Sequence, residues 1–180
     1  PDTYEIGLPN QGLQILYEIL NERDDAVAER SYAPWTDLEE VMRSRRIPLF
    51  SVDSHRSVDA FDVIGFNLSA ELTYTNLLNM LDLSGVPVRT GERREDHPIV
   101  VVGGHCTYNP EPLADFVDLV VLGDGEEAVG DITAILRDWK ASGRTQGSRE
   151  GVLRELSHIE GVYVPSMYEA TYDGPSLVAV

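Results

Sequence analysis

The chain has 180 residues and a mass of 20.0 kDa, enough for one well-buried domain with an extension and too little for two. Its 14 Lys and Arg against 31 Asp and Glu leave a formal charge of −17, a field that repels phosphate backbones and anionic membranes and argues against nucleic acid or a membrane as partner. No apolar run approaches the ~20 residues of a membrane span, no basic-then-apolar leader is present, and the single cysteine, Cys106, excludes an internal disulfide or a multi-cysteine metal site within this chain. Cytoplasmic localisation is the expectation.

Residues 1–12 read as a loop punctuated by Pro1, Gly7, Pro9 and Gly12. A helix follows from Gly12 to Asn21, where Leu13, Leu16, Tyr17 and Leu20 fall at i, i+3, i+4 and i+7. A loop that opens a helix without a strand before it predicts a first strand preceding Pro1. Val27–Ala33 reads as a short strand. Thr36 is the expected N-cap of a helix through Arg45, with Glu39 at the capping-box position.

A strand over Asp59–Phe66 is introduced by a short extended piece, Leu49–Val52. The next helix is expected over Ala70–Leu83, with Leu72, Leu77, Leu78, Met80 and Leu81 as its apolar content and Gly85 beyond its end. Val86–Arg89 is a short segment, and the charged Thr90–His97 loop reads as solvated and mobile.

The central strand is Ile99–Val102, four β-branched residues suited to burial on both faces of a parallel sheet. Gly103 and Gly104 follow where the chain must turn. The same order recurs upstream, in Phe61–Asn67 then Leu68-Ser69-Ala70, and downstream, in Val117–Leu122 then Gly123-Asp124-Gly125-Glu126-Glu127. Between them lie a Pro-bounded turn, Tyr108–Pro112, and a short helix around Leu113–Phe116. A helix to about Lys140 opens with an acidic first turn that complements its dipole. Residues 141–150 form a polar linker, and a short helix (Val152–Ser157) and an extended tail with Val162-Tyr163-Val164 close the chain.

Strands alternating with helices predict a doubly wound, mostly parallel α/β sheet, whose ligands sit beyond the carboxyl ends of the strands. Two units are expected: an α/β domain over 1–140, and linker, helix and tail over 141–180.

The candidate chemistry is sparse. There is no G-x-x-x-x-G-K-[ST], and neither glycine cluster has the G-x-G-x-x-G spacing. His55, His97 and His158 read as surface residues, whereas His105 stands on the expected ligand rim with functional and structural roles equally open. Cys106 reads as a small half-buried residue at a strand end rather than a nucleophile. Glu126 and Glu127 read as a solvated helix start rather than an acid/base pair. From the residues alone, the chain is a ligand-binding α/β domain without a self-contained catalytic set.

Three stretches taken together are more specific: Phe61-Asp62-Val63-Ile64-Gly65-Phe66; Val100-Val101-Val102-Gly103-Gly104-His105-Cys106-Thr107-Tyr108-Asn109-Pro110-Glu111-Pro112; and Val117-Asp118-Leu119-Val120-Val121-Leu122-Gly123-Asp124-Gly125-Glu126-Glu127. In order and spacing they resemble the cobalamin-binding-type domain that precedes the radical SAM barrel in many enzymes. The opening Pro1–Tyr17 and the Gly161–Pro165 run are similar to a narrower set of uncharacterised radical SAM proteins.

The resemblance implies a flavodoxin-like, Rossmann-like cobalamin-binding fold, here lacking its first strand. It also implies an accessory role, holding a corrinoid or another small-molecule ligand over the cluster of the barrel. The implied binding residues lie on four loops: Gly7, Asn10, Gln11 and Gly12; Asn67 and Ser69; Gly103, Gly104, His105 and Thr107; and Gly123, Gly125 and Glu126.

Two departures shape that expectation. The Asp-x-His-x-x-Gly motif of cobalamin mutases is missing, since Gly7–Gly12 contains no histidine. The cluster-binding Cys-x-x-x-Cys-x-x-Cys motif is also missing, so S-adenosylmethionine and a [4Fe-4S] cluster belong to a barrel beyond Val180, the expected partner of this domain. Two rivals stay open: a degenerate domain that docks protein or presents substrate without corrinoid, and a standalone α/β enzyme using His105, Cys106 and Glu126.

Overall fold

The computed structural model describes residues 1–144, 148–169, 171–174 and 176–179. Three parallel strands, β1 (Val63–Asn67), β2 (Ile99–Gly103) and β3 (Leu119–Val121), form the sheet, and β4 (Val162–Tyr163) adds antiparallel to β3. The order is β1-β2-β3-β4, which leaves β1 at one edge. A separate antiparallel pair, β5 (Thr171–Asp173) and β6 (Ser176–Ala179), follows. The α/β fold and its mostly parallel sheet are those expected from the alternation of strand and helix patterns.

Side chains along a strand alternate between faces, and the sheet sorts its apolar residues accordingly. Ile64, Phe66, Val100, Val102 and Val120 face α3 (Thr36–Arg45) and α4 (Tyr74–Leu83), where Met42, Leu77 and Leu81 are almost wholly buried. Ile99, Leu119 and Val121 face α5 (Glu126–Ala141) and α6 (Arg149–Leu156), packed by Ile132, Leu136, Trp139, Val152 and Leu156. Burial of each large aliphatic side chain contributes about 1.5–3 kcal/mol, so the β-branched runs are placed by the layers on both sides of them.

Several local expectations are corrected. Val27–Ala33 forms no strand: the Arg30 N–H goes to the Asp53 carboxylate at 2.7 Å, and the segment keeps one parallel bridge, Thr3 to Ala33. α3 has the expected bounds, but Trp35 stands at its N-cap with no side-chain bond, and Glu39 reaches Arg43 and Asn79 instead of closing a capping box. The helix expected from Ala70 begins as a 3-10 turn, Glu71–Thr73. That turn rotates Leu72 out of the apolar stripe and leaves it 90% exposed. Gly85, at φ +71°, does take the left-handed position beyond α4.

The charged Thr90–His97 loop, read as solvated and mobile, is anchored by a buried arginine. Arg93 donates to Asp118 Oδ2 at 2.9 Å and to the carbonyls of Pro87, Val88 and Phe116. Arg149, in the stretch read as linker, donates to the same Asp118 Oδ2 at 3.0 Å and to the carbonyls of Arg94, His97 and Pro98. Asp118 Oδ2 also accepts the Val100 N–H at 2.8 Å. His97, read as a surface residue, is half-buried, its Nδ1 accepting the Arg94 N–H at 2.9 Å. Residues 145–147 of the expected linker lie outside the described residues.

α1 (Tyr4–Gly7) is a single turn, and α2 (Gln11–Asn21) lies beside α5. Their ends are tied through Asp25, which accepts from Arg23 and Arg137; these bonds hold its carboxyl down to about 2. Among the described residues, no helix is long and apolar enough to cross a membrane.

Two predictions follow from the charged contacts. Asp118→Ala leaves two buried guanidinium groups without their carboxylate and is expected to cost about 3–5 kcal/mol in urea denaturation. The Asp25 carboxyl is depressed in the folded state, so its contribution to stability is present above the ordinary carboxylate range and is lost as pH falls through about 2. Removing the group with Asp25→Asn should therefore flatten part of the acid limb of a pH–stability profile.

Candidate functional site

The carboxyl ends of β1, β2 and β3 point to one rim, where the loops 7–12, 67–70, 103–108 and 123–126 converge. The rim is built by polar contacts between loops. Asn10 caps α2, its Oδ1 accepting the Leu13 N–H at 3.0 Å, and the same oxygen accepts from Asn67 Nδ2 at 3.0 Å. One side chain thus joins the start of α2 to the end of β1. Thr107 is buried, with its hydroxyl 2.7 Å from the Gly104 carbonyl and 3.2 Å from that of Val121, so its proton is used between the second and third loops. Tyr74 Oη donates to the carbonyls of Cys106 and Asn109 at 3.1 and 3.2 Å, and Asn109 Nδ2 reaches Glu71 at 3.2 Å.

The glycines expected to line this rim divide into two kinds. Gly104, at φ +101°, occupies a position where a Cβ would collide with Asn67 Oδ1 and lie 2.9 Å from the Leu68 carbonyl; its role is to let β1 and β2 loops pack together. Gly7 is buried, and a Cβ there would press on the Tyr32 ring at 2.7 Å. A Cβ on Gly125 would meet Leu16 at 3.6 Å. By contrast, a Cβ on Gly103 or Gly123 would meet nothing within 4 Å. Gly12 is exposed, its nearest neighbour the Asn10 Oδ1 at 3.4 Å.

Gln11, Ser69, His105 and Glu126 are exposed on the rim, with Asp124 and Glu127 beside them. Cys106 is half-buried against the α3/α4 core, as a small strand-end residue would be, and Tyr74 reaches its carbonyl rather than its thiol. No group of three or more His, Cys, Asp or Glu among the described residues has the arrangement of a metal site. The rim therefore offers open backbone at two strand ends and a scatter of exposed polar side chains, while Asn10, Asn67 and Thr107 are already engaged within the protein.

Two rim residues escaped the sequence reading as site candidates. Leu72 is 90% and Tyr108 78% exposed, and they stand on the two turns joined by the Asn109–Glu71 bond. An apolar residue inside an expected helix carries no signal that it faces outward; the 3-10 turn is what aims Leu72 to solvent.

The two kinds of glycine separate experimentally. Gly104→Ala is expected to cost about 1–3 kcal/mol in chemical denaturation, from its left-handed backbone and the collision with β1's loop. Gly103→Ala is expected to stay within ~0.5 kcal/mol of the parent protein.

Over residues 12–165 the chain matches the family model for the N-terminal region of radical SAM proteins. No curated protein and no solved structure matches it. The matched span runs from the start of α2 through β4, covering the parallel sheet and all four rim loops except residues 7–11. With that span extending over most of the sequence, the chain belongs to the radical SAM proteins, as an N-terminal accessory domain of that family.

Proposed function

We propose that this domain holds a small-molecule ligand, a corrinoid or the substrate itself, on its carboxyl-end rim, facing the catalytic domain of a radical SAM protein. The observation that carries the reading is the pair of uncovered strand ends, Gly103 and Gly123, where no side chain stands between ligand and backbone. In an open α/β sheet that is where ligands approach. Gln11, Ser69, His105 and Glu126 are the exposed polar groups able to meet the edge of a flat ring lying there.

A corrinoid fits this platform only in one mode. Residues 7–12 offer no imidazole, and Asn10, the polar side chain of that loop nearest β1, is occupied by Asn67 and the α2 cap. The residues that would hold the corrinoid are the open backbone at Gly103 and Gly123 with the exposed Gln11, Ser69, His105 and Glu126, and residues 7–12 would supply no imidazole. Its chemistry, methyl or radical transfer through cobalt, would be supplied by the bound group and the neighbouring catalytic domain.

A second reading, a domain that docks protein without corrinoid, is favoured by Leu72 and Tyr108, two large apolar side chains presented outward on the same rim.

Titration with hydroxocobalamin, followed by visible spectrum and calorimetry, distinguishes the two. The corrinoid reading expects a saturable one-to-one complex that Gly103→Leu weakens at least tenfold without loss of stability. Absence of binding to the folded chain removes corrinoid and leaves the substrate and docking readings.

A further inference from the structure

α3 is held on two sides. Met42 packs it into the core, and Glu39 and Arg43 tie it to Asn79 and Asp82 of α4. At 3.6 residues per turn, the flank away from α4 carries Leu38, Val41 and Arg45, with Trp35 at its head, and all four are exposed. Trp35 is 60% exposed, and a tryptophan on a free surface is the commonest kind of interface anchor.

The stripe continues at both ends. The Trp35 ring N–H donates to Glu5 Oε2 at 3.3 Å, which brings α1, with its exposed Tyr4 and Ile6, to the head of the flank. At the foot, α3 stops in the left-handed Arg46, at φ 55°. Ile47, whose N–H returns to the Met42 carbonyl at 2.9 Å, is again exposed.

Charge is graded along this flank. At its head stand Glu5 and Asp37, exposed carboxylates without a cation beside them among the described residues. At its foot stand Arg45 and Arg46, exposed and without a carboxylate partner among the described residues. Every other Lys and Arg except Arg56 has one. The helix dipole accounts for cations at this end. It does not account for their standing alone in a chain of formal charge −17.

A surface that is acidic at its head, apolar in its middle and basic at its foot is complementary to itself when turned through a half rotation. We infer that this flank is a self-association surface, and that its occupant is a second copy of the same chain, with α3 against α3 antiparallel and Leu38 and Val41 at the twofold axis. Trp35 to Arg45 is about 15 Å of helix, so the two ends meet in register. Arg45 and Arg46 of each copy then reach Glu5 and Asp37 of the other, while the apolar middle is buried between them. A flank of uniform sign would repel its own copy; this one pairs with it. The surface lies on α1 and α3, apart from the open strand ends of the rim.

The test is the oligomeric state of the chain, by sedimentation equilibrium over a micromolar series. Physiological ionic strength screens the long-range repulsion between two chains of this charge, and a dimer is expected. Emission reports the same surface: Trp139 is buried and Trp35 is not, so the exposed component of the emission should move to the blue as the dimer forms. Leu38→Ser should weaken the dimer by about tenfold or more, with an unchanged urea midpoint showing that the fold is kept. Arg45→Glu with Arg46→Glu should weaken it by about tenfold or more, as should Glu5→Lys with Asp37→Lys. All four together should return the affinity to within about threefold of the parent protein. A monomer throughout overturns the surface, and a dimer indifferent to Leu38→Ser overturns its placement on α3. Tighter association of the Glu5→Lys, Asp37→Lys protein, the result of relieving general repulsion, overturns the pairing of the two ends. None of these readouts depends on a ligand at the rim.

Discussion

A single carboxylate organises the amino end of the sheet. Asp118 stands immediately before β3, almost wholly buried, and receives two guanidinium groups and a backbone N–H on one oxygen. The Val100 N–H sets β3 against β2, Arg93 fixes the return of the 87–93 segment, and Arg149 fixes the start of α6. Two buried cations on one anion would be unfavourable alone. They persist because backbone carbonyls of Pro87, Val88, Phe116, Arg94, His97 and Pro98 accept most of their remaining N–H groups. Arg93 is the more deeply buried, and desolvation holds it below the ordinary guanidinium range.

This arrangement separates the labour of the two ends of the sheet. The amino end is closed by charge-assisted bonds that leave it little freedom to rearrange. The carboxyl end is joined by neutral contacts, Asn10 with Asn67, Thr107 with two carbonyls, and Tyr74 with two more. Neutral hydrogen bonds at a partly exposed rim are weaker individually than the buried charged set. A surface that must accept a ligand or a partner is better placed at the end of the sheet that is less tightly committed.

The layers were legible in the sequence because they depend on periodicity and length, as in Ile99–Val102 and the acidic start of α5, whereas the Leu13–Leu20 stripe foretold the helix α2 but no buried residue on it. The Asp118 centre was not, because its three charged members are 25 and 31 residues apart and each sits in a stretch that reads as ordinary polar surface. Position in sequence says nothing of which arginine in Gly-Glu-Arg-Arg-Glu-Asp turns inward. The rim was half legible: its loops follow from where the strands end, but Gly103 and Gly104, adjacent and chemically identical, do opposite things. One leaves its strand end open and the other lets Asn67 and Leu68 close against it. Only the backbone φ and the neighbouring loop distinguish them.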